Sequence, residues 1–112
     1  MPIADITYHS NRGVDVPVMG GGGWGPSGVL PPQLGNSQQL DFTAGAAGGA
    51  IQTEQVTAIV LSDTNCRIMV AVAADNAAVT AAGTIAATRR IVANIPEMIS
   101  VPSGQRVIVR PL

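Results

Sequence analysis

The sequence predicts an all-β fold: a small β-sandwich, jelly-roll-like or a simpler meander, behind an extended Gly/Pro-rich N-terminal arm. Three observations predict it. Short β-branched runs recur at intervals of roughly ten residues, with turn formers between them. No helical period is sustained anywhere. The stretch 20–35 is dense in Gly and Pro, which are costly to order or lack the amide donor. On this reading residues 1–37 form the arm and 38–112 the sandwich.

The elements follow in order. Residues 3–9 are a candidate strand in which Ile3 and Ile6 do not share a face. Val14, Val16 and Val18 alternate with Asp15, Pro17 and Met19, and Pro17 limits this segment to an edge strand or extended chain. The glycine run after it should be extended arm, lying on the domain or on a neighbouring subunit, with Trp24, Leu30 and Leu34 as anchors. Leu40 opens the globular part, and 44–50 is a loop of small residues.

The strongest pattern is 54–73. Two apolar runs flank Ser62-Asp63-Thr64-Asn65, which reads as a β-hairpin at the centre of the core. Cys66, Ile68, Val70 and Val72 should share one face and alternate with Arg67, Met69, Ala71 and Ala73. Asp75-Asn76 marks a turn. In 77–87 the alanines favour helix, whereas Val79, Thr80 and Gly83 do not, and a loop with a short irregular strand is expected. Strands follow at 89–93, 97–101 and 106–110, separated by Pro-containing turns, with Val107 and Val109 on one face.

Composition narrows the function classes. The chain has 112 residues, enough for one domain with a modest core, and a formal net charge of −1. No strong field draws nucleic acid or anionic membrane, and neither is expected as a partner. Only 12% of residues are charged, and every cation is an arginine. Two readings fit that deficit: surface buried against partners, or drift in a GC-rich genome. The three aromatics, Tyr8, Trp24 and Phe42, leave the later core to aliphatic side chains, and oligomerisation would support so thin a core. One cysteine excludes an intrachain disulfide. No secretory leader or membrane-spanning stretch is legible, so synthesis in a cytoplasm is expected.

Candidate chemical sites are weak. His9 and Cys66 are the only His and Cys, too few for a zinc-type site within one chain. His9 reads as a partly exposed polar residue, and Cys66 as a small buried hydrophobe rather than a nucleophile. Gly20, Gly22 and Gly25 satisfy a dinucleotide-loop spacing only because any glycine run does, and Pro26, Pro31 and Pro32 forbid the helix that must follow. The acids are scattered singly and read as solvated turn residues. No catalytic, cofactor-binding or metal-binding residue is therefore expected. Arg89 and Arg90 could reach an acidic neighbour, but adjacent strand residues point to opposite faces. Trp24, set among glycines, reads as a plug for a pocket, because interface anchors are enriched in Trp.

Residues 54–112 resemble a type of small β protein encoded among bacteriophage virion genes. The resemblance rests on Asn65-Cys66-Arg67-Ile68, the Ala-rich 77–87, Ile95-Pro96-Glu97, and Val-Pro-Ser-Gly-Gln-Arg-Val at 101–107. It implies a virion component at the capsid surface: a decoration, cement or head-associated protein made in the host cytoplasm. The expected role is non-enzymatic, bridging subunits of the major capsid protein as a homotrimer. The interface would comprise Trp24, Leu30, Leu34, Arg89 and Arg90. A carbohydrate- or receptor-binding module of a phage fibre or tail is the alternative.

Overall fold

A computed structural model describes residues 2–10 and 33–112, together with the backbone of two short segments, 15–17 and 24–26. In chain order the described elements are β1 (Ile3–Ser10), β2 (Asp15–Pro17), β3 (Trp24–Pro26), β4 (Gln38–Asp41), β5 (Ala47–Gly48), β6 (Val56–Ser62), β7 (Cys66–Ala71), α1 (Asn76–Ala82), a 3₁₀ turn (Ile85–Ala87), β8 (Arg89–Ile91), β9 (Glu97–Val101) and β10 (Arg106–Pro111). The fold is mostly β. One antiparallel sheet has the order β4-β1-β6-β9, a second β5-β10-β7-β8, and β2 and β3 pair with each other.

A single core cluster draws on both four-stranded sheets. Ile6, Tyr8, Val56 and Val60 come from the first sheet, and Cys66, Ile68, Ile91, Val107 and Val109 from the second. Alternation produces this directly. In β6 the buried residues are every second one, and Val107 and Val109 do share the inward face of β10.

Four expectations are corrected. First, 54–73 is not a hairpin. β6 pairs with β1 and β9, whereas β7 pairs with β10 and β8, so the turn between them crosses from one sheet to the other. A period of two specifies which residues face inward. It is equally satisfied by strands that pair side by side and by strands in different sheets. The crossing turn is held by Ser62, whose hydroxyl donates to the Thr64 carbonyl (2.7 Å) and accepts from the Thr64 N–H (3.2 Å). Val72, expected inside, lies just past the end of β7 and is 73% exposed.

Second, residues 3–10 do not belong to an arm. β1 is an interior strand, pairing with β4 from Ile3↔Asp41 and with β6 from Ala4↔Ser62 to Ser10↔Val56. The Gly/Pro-rich stretch is thus an excursion between two paired strands, β1 and β4. An isolated bridge between His9 and Gln33 brings its two ends together. Third, the glycine run is not wholly without sheet. Trp24 pairs with Pro17 and Pro26 with Asp15 in a two-stranded ribbon, where every strand is an edge and a proline is tolerated.

Fourth, 76–82 is helical. Asp75 caps it by accepting from the Ala78 N–H at 2.8 Å, and the Gly83 N–H closes the far end on the Val79 carbonyl. Val79 is buried with Ala73 and Ile108 in a second small cluster, against the outer face of the second sheet. That burial outweighs the weak helix propensity of Val79 and Thr80.

Candidate functional site

The predicted interface residues fall in different places. Leu30 lies outside the described residues, and Trp24 is described only as backbone in β3. Leu34 is half-buried against the main core, and its N–H donates to the Tyr8 carbonyl at 2.6 Å. Leu34 thus fastens the returning end of the excursion to β1. Arg89 and Arg90 sit on β8, an edge strand of the second sheet. There Ile91 pairs with Cys66, beside the crossing turn and at the other end of the body from Leu34.

The two arginines point to opposite faces. Arg89 pairs with Ile68, whose side chain is buried, and so leans over the seam between the sheets. Its Nη2 lies 3.8 Å from Glu97 Oε2 of β9, an exposed ion pair across the open edge. Such a pair contributes at most about 1 kcal/mol. Arg90 pairs with Arg67 and faces outward. Arg67 in turn pairs with Arg110, so Arg110, Arg67 and Arg90 form one row across three neighbouring strands. Sequence reasoning missed this row, because it exists only in the register of strands far apart in the chain.

Two of the three arginines have backbone partners. Arg110 Nη1 donates to the Gly83 carbonyl at 2.8 Å, and Arg67 Nη1 to the Thr88 carbonyl at 3.4 Å. They hold the α1–3₁₀ segment on the sheet. Arg106 works further along the same face, donating to the carbonyls of Gly49 (2.7 Å), Ala73 (3.0 Å) and Gly48 (3.4 Å). Arg90 is exposed at the edge.

The outer face of the first sheet is different. The register sets Asp5 beside Leu61 and Ile59 beside Met98, which is 60% exposed. Ile3, Asp5, Gln39, Leu61, Asp63 and Asn94 line an open groove of about 270 Å³. Asp41 lies opposite Ile3 at the same end. Thr43 holds the Asp41 carboxyl below its ordinary pKa of 3.8, through its hydroxyl (2.6 Å) and then its N–H (2.9 Å). Asp63 is lowered likewise, first by the Ile3 N–H (2.9 Å) and then by the Thr64 hydroxyl (2.9 Å).

A carboxylate with a depressed folded pKa stabilises the fold above its unfolded pKa, and that contribution is lost as pH falls through the folded value. The urea midpoint should therefore fall as the pH drops below 3.8. Asp63→Asn should flatten that fall. An unchanged acid slope in the variant would show that Asp63 does not anchor the start of β1.

His9 and Cys66 do not meet the requirements of a catalytic pair. Cys66 is fully buried, and burial pushes its thiol up from 9.0, with the Asp63 charge adding to the rise and the nearby Ser62 hydroxyl acting the other way. A thiol kept neutral is a poor nucleophile. His9, expected to be partly exposed, is 5% exposed, with Nε2 3.1 Å from Thr7 Oγ1. The bridge to Gln33 brings the returning chain alongside it. Among the described residues no three His, Cys, Asp or Glu side chains converge to hold a metal, and no helix is long and apolar enough to cross a membrane. Comparison with protein-family models, with curated proteins and with solved structures gives no match.

Proposed function

We propose that this chain is a non-enzymatic virion structural protein, a decoration or cement protein that stabilises a phage head by bridging neighbouring capsid subunits. In this reading the two four-stranded sheets act as a β-sandwich body. The excursion 11–32 acts as the extended arm, and the working unit is a homotrimer on the capsid surface.

The observation that carries the reading is the position of that excursion. A Gly/Pro-rich segment with Trp24 and Leu30 links the paired strands β1 and β4, and its two ends are brought together by the His9–Gln33 bridge. A tether at both ends lowers the conformational entropy that docking must overcome. The low share of charged residues and the exposed aliphatics of the body, Leu61, Ile95 and Met98 among them, add surface suited to burial against protein.

Purified chain added to heads assembled without it should bind at a saturating ratio and raise the temperature at which the heads release their contents. No binding would overturn the proposal. A specific hit on a glycan array, with no binding to heads, would replace it with a carbohydrate-binding module of a fibre or tail.

A further inference from the structure

The two sheets present outer faces of opposite charge. On the second sheet Arg110, Arg67 and Arg90 stand side by side in register. Like charges directly opposite in a β ladder are destabilising. Backbone carbonyls engage Arg110 and Arg67, which leaves Arg90 as the exposed end of the row. Asp75, over the same face, is occupied in capping α1. On the first sheet Asp5 and Asp41 face outward, with Asp63 in the adjoining turn. Arg89 and Glu97 pair at the edge and offset each other. The acidic groove and the arginine row both lie at the end of the body that carries the crossing turn.

We propose that the groove on the first sheet of one copy receives Arg90 of a second copy, joining copies head to tail. The groove has the chemistry a guanidinium with an aliphatic stem needs. The Asp5 carboxylate and the side-chain carbonyls of Gln39 and Asn94 can accept its hydrogen bonds. Leu61 and Ile3 supply apolar wall for the methylenes. Asp63 Oδ1 already accepts from Ile3 and Thr64, so this residue adds mainly field. Docking gives the Arg67–Arg90 pair an opposite charge to face. The contact joins two different patches, so repeated copies close into a ring if the rotation allows it. It deepens the proposed function by building the oligomer that function uses, but the contact itself is testable without any capsid.

The test is sedimentation velocity of the full chain at low and at high salt. The parent chain should associate reversibly, and more weakly at high salt. Arg90→Glu and Asp5→Arg should each weaken association by about tenfold or more, and the double variant should recover most of it. Asp5→Asn, which keeps the size of the side chain, should weaken association with the fold intact. Arg90→Glu should melt no lower than the parent, because it removes the Arg67–Arg90 repulsion. A parent chain that stays monomeric at high concentration overturns the contact, as do single variants that associate like the parent. So does a double variant that fails to recover. A monomer that still binds heads would overturn this contact alone, whereas an oligomer that does not bind them would overturn only the proposed function.

Discussion

Phe42→Ala should lower the unfolding free energy by about 4 kcal/mol, the range for removing a fully buried aromatic ring. Phe42 is 1% exposed and lies just past β4, where its N–H donates to the Pro2 carbonyl at 3.2 Å. It belongs to the cluster shared by both sheets, whose other members among the described residues are aliphatic side chains, Cys66 and Tyr8. Its loss leaves a cavity that the small members of the cluster, Ala4 and Ala58, are too short to fill. Domains of this size are held by only about 5–15 kcal/mol, so the loss is roughly a quarter to four-fifths of the total. Urea denaturation checks this. A loss below about 1 kcal/mol would mean that the two sheets do not share the core described above.

Arg106→Ala should cost about 3 kcal/mol, although it removes a charge that faces away from the main core. Its guanidinium is the common donor to carbonyls of Gly48, Gly49 and Ala73. These come from the short edge strand β5, the residue after it, and the link into α1. Without the guanidinium those part-buried acceptors lose a partner, and nothing else in that position can supply three donors in one plane. The same packing explains the glycines. A Cβ at Gly48 would sit 2.8 Å from Arg106 Nε, and one at Gly49 would sit 2.6 Å from Tyr8 Oη. Arg106→Lys should recover only part of the loss, because an ammonium cannot reproduce the fork. Chemical denaturation of both variants tests this. Equal stability of Lys and Arg at 106 would show that charge alone matters there.

Local pattern reached part of this structure. The strands at 97–101 and 106–110 were legible because a β-branched run bounded by Pro and Gly has few other conformations. The opposite orientation of Arg89 and Arg90 followed from the period of two. Long-range pairing was not legible. Nothing in 54–73 distinguishes a hairpin from two strands that part into different sheets, and β1 looked peripheral because its interior place depends on β4 and β6. The helix at 76–82 depends on Ile108 lying beneath Val79, a contact far along the chain. The arginine row has the same character, since it appears only once β10, β7 and β8 are aligned. Leu34, read from its place after the Pro-rich stretch as an anchor at an interface, packs on this chain's own core. The residue its N–H reaches, Tyr8 of β1, lies too far back in the sequence for local pattern to show.

The most direct test is excision of the excursion. Removing residues 1–37 would delete the interior strand β1 and unfold the body, so the informative variant replaces 11–32 with a short Gly/Ser turn between Ser10 and Gln33. The His9–Gln33 bridge brings those ends together. The variant should keep its melting temperature within about 4 °C of the parent. If the proposed function holds, the parent chain should bind phage heads and this variant should not. A folded variant that decorates heads as fully as the parent would contradict the account.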